Sequence, residues 1–293
     1  MRLVLHIGAH GTDRGQVAAW IAQNRAALEA EGIAAPPPRL FLARISEALD
    51  LQRDADPLTR EEALLRGLGA TGQRRRMVVS APGLLGSVAD VLAPDGFYTR
   101  DVARRLYGLR TLFPRTGLSF LLAVRKASGV IPAILPDDAG AVETLVPLLT
   151  DDTLPWSRLA GTIRRQTPGA SLLAWRHEDL PQVWPGVLAE IVGNRAPLPP
   201  AGLLDFAAAG LGAEARLRLT RYLASAEAPP ASAGQLRQVA GVFARRYGAA
   251  PDPDPAAGLP AWARVRLQEL DAGYATEWGD LAGIEGVRVL MPG

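Results

Sequence analysis

Cysteine is absent from the 293-residue chain, which excludes disulfides and every metal site built on thiolates. Lysine is nearly absent as well: Lys126 stands alone, and the other thirty-one of the 32 basic residues are Arg. Neither sign of charge is in excess, because 30 acidic residues leave a net charge of only +2. The dense basic face that nucleic acid requires is therefore not implied, and no nucleic-acid partner is expected. Long apolar runs are missing too. The richest segments are broken by Arg or Pro well short of the roughly 18 residues that span a bilayer, so no membrane span is expected. The first apolar run starts at Leu3, leaving no room before it for a charged and then apolar leader. The reading expects no signal peptide and a soluble, cytoplasmic protein.

With 48% hydrophobic residues the chain has enough apolar surface for a sizeable core. Four short, continuous apolar runs stand out: Leu3–Ile7, Met77–Ser80, Leu118–Val124 and Leu172–Trp175. Runs of this kind, each followed by a helical pattern, mark buried parallel strands, and the alternation predicts a three-layer α/β fold. Helices are predicted over Asp101–Phe113, over Leu154–Gln166 and from Pro181 to Ile191, where Gly193 is the stop. Helical periodicity between Ala34 and Gln73 is expected to cover one sheet edge. After Pro197 the strand signals stop. Residues 213–226, 232–247 and 260–280 read as three helices separated by Ala-Pro and Pro-Asp-Pro-Asp-Pro linkers, with a short terminal strand at Val287–Leu290. The expected division is an α/β domain over 1–195 and a helical C-terminal cap over 196–293, packed on the same domain, around a sheet of about four to five strands.

The segment Leu3–Gln16 carries the chemistry: an apolar strand, a Gly-containing turn, then an amphipathic helix. Such a turn aims free N–H groups and the positive end of a helix dipole at an anion. A Walker loop would follow Gly8 with a second Gly, Lys and Ser or Thr, and those places hold Asp13, Arg14 and Gly15. Asp13, three residues before Gln16, is placed to cap the helix itself.

The run Leu5-His6-Ile7-Gly8-Ala9-His10, the "N-R-x-x-L" of Asn24–Leu28 and Gly32-Ile33 before a proline cluster resemble the bacterial sulfotransferase-like proteins. The Ala-, Arg- and Pro-rich, Lys-poor composition also suits a high-GC bacterial genome. The resemblance continues through Val78-Val79-Ser80, Ala123-Val124-Arg125 and Trp175–Leu180, and covers roughly residues 1–195. It implies a P-loop-type α/β fold with a parallel sheet. It also implies sulfuryl transfer from 3'-phosphoadenosine 5'-phosphosulfate to a small-molecule or glycan acceptor that the sequence does not identify. That donor is the only cofactor implied, as a substrate and not as a permanently bound group; the oligomeric state is not indicated.

Carried over position by position, the family's cofactor-binding set falls on Gly8, Gly11, Thr12, Arg14 and Arg125, with His10 and Arg14 as catalytic candidates. Several positions depart from the pattern. Gly11 stands where the family has the loop Lys that neutralises the phosphosulfate. Ala81-Pro82-Gly83 follows Ser80 where an acid serves as general base, and Ala133 replaces a Ser that bonds the 3'-phosphate. Arg14 is either a bidentate replacement for the Lys or a surface residue at a capped helix. His10 is either an acid, base or phosphate donor, or a loop-shaping residue. Arg125 and Lys126 form either an anion site or a basic pair meeting Asp or Glu. His6 reads as a core residue, His177-Glu178-Asp179 as a capping cluster before Pro181, and Arg74–Arg76 and Arg104-Arg105 as solvated faces. Nothing in the spacing argues for a metal. Two functions follow: a sulfotransferase with an altered site, or a catalytically inactive homologue that binds or interacts.

Overall fold

The computed structural model describes residues 1–12, 15–50, 56–72, 74–93, 96–99, 101–135, 152–193, 197–249 and 256–292. The sequence-derived roles of Asp13 and Arg14, and the Pro-Asp-Pro-Asp-Pro linker, lie outside the described residues.

Six strands form one sheet: β1 (Arg2–His6), β2 (Ile33–Ala34), β3 (Arg76–Ser80), β6 (Gly117–Val124), β7 (Ser171–Arg176) and β8 (Val287–Val289). Their order is β2-β3-β1-β6-β7-β8, and every pairing is parallel. The four expected strands are the adjacent central ones. The sixth strand, β2, is too short to be legible in the sequence, since two residues make no readable run. A separate antiparallel hairpin joins β4 (Leu92–Ala93) to β5 (Gly96–Phe97).

Alternate strand residues enter two cores. Leu3, Leu5, Phe120 and Leu122 point to one face, and Val4, Leu121, Ala123 and Trp175 to the other. Because both faces are covered, the strands read as continuous apolar runs instead of alternating ones. The first face is covered by α3 (Pro38–Asp50), α4 (Pro57–Gly67), α5 (Val102–Leu112), α6 (Ala127–Ile134), α7 (Trp156–Gln166), α12 (Ala261–Ala272) and α13 (Tyr274–Ala282). The second is covered by α1 (Gln16–Gln23), α2 (Arg25–Ala30), α8 (Leu180–Val192), α9 (Leu203–Ala208), α10 (Ala213–Ser225) and α11 (Ala233–Tyr247). Among the described residues no helix is long and apolar enough to cross a membrane.

Two expectations are corrected and one helix is added. The 260–280 helix is two helices broken at Gly273, where a Cβ would lie 2.7 Å from the Thr153 Cβ. The α6 helix escaped notice because Gly129 and Pro132 sit inside it. Arg76 is not a solvated residue: its guanidinium is half-buried and donates to the Glu190 and Ile191 carbonyls, at 2.8 and 3.3 Å, closing the C-terminal end of α8.

From β1 the chain leaves toward β2 on one side, then crosses back from β3 over β1 to β6. The strand order reverses there, and in open α/β sheets the crevice for ligands forms at the carboxyl ends beside such a reversal.

Candidate functional site

The carboxyl ends of β1 and β6 bring together the loop after β1 and the start of α6. Pairing with β6 continues past His6: the Ala123 N–H donates to the Gly8 carbonyl at 2.6 Å and the Ala9 N–H donates to the Ala123 carbonyl at 3.0 Å. Gly8 has φ +93, and a Cβ there would lie 3.0 Å from the His10 nitrogen, so the turn leaving the sheet requires glycine.

Thr12 is buried and its hydroxyl donates to the Ala9 carbonyl at 2.6 Å, which closes the turn on itself. Gly11 has φ +71 and lies against α6; a Cβ would sit 3.0 Å from the Ala133 Cβ and 3.2 Å from Ile134 Cγ2. Its carbonyl accepts from Arg125 Nη1 at 2.7 Å. The Arg125 side chain crosses the bare Cα of Gly129, and its own carbonyl accepts from the Trp156 indole N–H at 3.1 Å. The Arg125 guanidinium and the described part of the 10–14 loop thus share one edge of the sheet. The helix α1 is entered through Gly15, which lies in the left-handed region with φ +77.

The β4–β5 hairpin delivers Tyr98, a residue the sequence reading missed. Its hydroxyl accepts from the His10 backbone N–H at 3.0 Å and lies 2.9 Å from His10 Nδ1. The Tyr98 hydroxyl thus ties the backbone and the ring of His10 to one point. Burial lowers the His10 pKa from its ordinary value of 6.5, while a hydrogen bond to the Gly86 backbone and the Asp90 charge act in the opposite direction. Burial also pushes the Tyr98 phenol far above its usual range, opposed by the His10 N–H. Tyr98 packs in a ring cluster with Phe97 and Trp156, at centroid distances of 4.7 Å for Phe97–Tyr98 and 4.8 Å for Phe97–Trp156. One aromatic group therefore holds both His10 and Arg125.

The helix start that an anion would seek is engaged by the chain's own carboxylates. The Lys126 N–H donates to Glu178 Oε1 at 3.0 Å, and the Ser128 N–H donates to Asp271 Oδ1 at 3.2 Å. The Ser128 hydroxyl bonds the other Asp271 oxygen, and Tyr274 donates to Glu178 Oε2 at 3.0 Å. Glu277 serves α7 in the same way, accepting from the Ser157 N–H at 2.6 Å. The capping reading of 177–179 is corrected in detail: Asp179 makes no side-chain cap for α8 but pairs with Arg176 at 2.7 Å, and Glu178 reaches α6. An incoming phosphate would meet these fixed negative charges at close range, which opposes its binding.

His6 is a buried core residue, with Nδ1 2.8 Å from Ser80 Oγ and its ring stacked on Trp175. Among the described residues no group of His, Asp and Glu could hold a metal ion. No protein-family model, curated protein or solved structure matches the chain.

Proposed function

We propose that this chain is a sulfotransferase-like α/β protein of P-loop type that does not transfer a sulfuryl group by the family's route and serves as a binding or interaction protein. The parallel sheet, the strand-order reversal beside β1 and the tight loop between β1 and α1 support the fold assignment. One observation carries the functional half. Gly11, in the position of the family's loop Lys, lies directly on Ala133, in the position of its phosphate-binding Ser, and its carbonyl is held by Arg125. The space and the cation that a phosphosulfate would use are both engaged by the loop.

Calorimetric titration with 3'-phosphoadenosine 5'-phosphate tests the reading. The expected dissociation constant is about 1 mM or weaker, corresponding to about 4 kcal/mol. Micromolar binding that Arg14→Ala abolishes would overturn it and return the chain to the enzymes.

A further inference from the structure

The hairpin of α10 and α11 carries a surface that the fold itself does not use. Residues 213–247 hold six arginines against two glutamates, whereas the whole chain has a net charge of only +2. Between the helices lies a groove of about 380 Å³ lined by Glu214, Leu217, Arg218, Arg221, Phe243 and Tyr247. Phe243 and Tyr247 line it with ring centres 5.7 Å apart, and Tyr222, outside the groove, extends the row at 5.6 Å from Phe243. The Arg218 guanidinium lies 4.5 Å from the Tyr247 ring centre and pairs with Glu214 at 2.9 Å.

Two features of this face suit a contact surface. Leu217, Tyr222 and Val242 are 51%, 43% and 50% exposed. Arg221, Arg237, Arg245 and Arg246 have no carboxylate partner among the described residues. Tyr and Arg around an apolar centre are the residue types enriched in protein interfaces and their energetic anchors.

We propose that the α10–α11 groove docks an acidic amphipathic helix of a partner protein. The partner's apolar face covers Leu217 and the ring row, and flanking Glu or Asp side chains meet Arg221 and Arg246 through charge-assisted hydrogen bonds. Self-association fits less well. The groove's one acid, Glu214, is already engaged by Arg218, so a two-fold contact would set arginines against arginines. The rings and arginines would also stack bases, but a nucleic-acid strand would leave the exposed Leu217 and Val242 uncovered and would meet Glu214 in the groove, so the amphipathic helix is the better fit. The inference shares no residue with the carboxyl-edge loop and does not depend on whether that loop is inert.

The test is fluorescence anisotropy on the full chain with a labelled helical peptide that has Leu in its core positions and Glu on the flanks, beside a matched peptide with Lys flanks. The Glu peptide should bind, the Lys peptide should bind at least about tenfold more weakly, and added salt should weaken the complex. The double variant Arg221→Glu with Arg246→Glu, and separately Leu217→Ser, should each weaken binding roughly tenfold without shifting thermal unfolding, since all three residues are exposed. Failure of the Glu peptide to bind at about 1 mM, or equal binding of both peptides, overturns the proposal. Two further results would do the same: tighter binding of single-stranded DNA that the double variant abolishes, or a dimer in sedimentation that Leu217→Ser dissolves.

Discussion

Gly11 and Ala133 touch across the gap between the β1 loop and α6, so closely that a Cβ on residue 11 would lie 3.0 Å from the alanine methyl. These are two of the positions at which the chain departs from the pattern it resembles, and they are neighbours in space. Small residues on both sides let the loop lie on the helix.

Gly11→Ala is therefore expected to destabilise the protein by about 1–3 kcal/mol, through a left-handed φ and an overpacked contact. Gly15 is the internal control: its φ is +77, but nothing lies within 4 Å of an added Cβ. In urea denaturation Gly15→Ala should cost only the conformational part and clearly less. Gly11→Lys should be destabilising as well and should leave affinity for 3'-phosphoadenosine 5'-phosphate unimproved, because the lysine would first have to push the loop off α6. Equal costs at the two glycines would remove the packing argument.

The acid side of the stability profile should report His10. Burial lowers its pKa below the ordinary 6.5, so the folded protein favours the neutral ring more than the unfolded chain does. That contribution is fully present above pH 6.5, the unfolded value, and is lost as pH falls from there through the folded pKa. Measured by chemical denaturation at a series of pH values, the wild-type protein should lose its advantage over His10→Gln across this window. Tyr98→Phe, which deletes the hydroxyl that takes the His10 N–H, should cost about 1–3 kcal/mol at neutral pH. A difference between wild type and His10→Gln that does not change with pH would show that the ring is not held neutral.

How far the sequence reveals this fold depends on the range of the signal. The strands β1, β3, β6 and β7 are legible because burial on both faces makes each a continuous apolar run. The ends of α5 and α8 are legible because Asp101 and Gly193 punctuate them locally. The site is legible only in its local parts, such as the glycine turn and the arginine ending β6. What closes it comes from far along the chain: Tyr98 lies 88 residues from His10, and Asp271 lies 143 from Ser128. A tyrosine in a hairpin or an aspartate on a late helix carries no mark of a distant partner. Glu178 was visible, but as one of three polar residues before a helix, where a local cap is the natural reading.

The contact of α12 with α6 should behave as a coupled pair. Asp271 accepts both the backbone N–H and the hydroxyl of Ser128, so Asp271→Ala removes a helix cap supplied from another element and should cost about 1–2 kcal/mol. Ser128→Ala removes only the hydroxyl and should cost less. In a double-mutant cycle the combined loss should fall short of the sum by about 0.5 kcal/mol or more, since both changes delete one shared bond. Strict additivity would mean that Asp271 stabilises the protein through some other contact.

Arg125 separates the two functional readings most directly. As a clasp, its guanidinium holds the Gly11 carbonyl at 2.7 Å and lies over Gly129, while its backbone carbonyl is held by Trp156. Arg125→Ala should then lower stability by about 1–2 kcal/mol, because a charged hydrogen bond and the packing of a half-buried side chain are lost together. Binding of 3'-phosphoadenosine 5'-phosphate, already weak, should stay unchanged, since the residue contributes no anion contact in this arrangement. An anion-binding Arg125 gives the opposite pattern: stability would hold or rise as a confined positive charge is removed, and affinity would drop at least about tenfold. Calorimetric titration and urea denaturation of this one variant distinguish a loop built to stay closed from one that opens for a nucleotide.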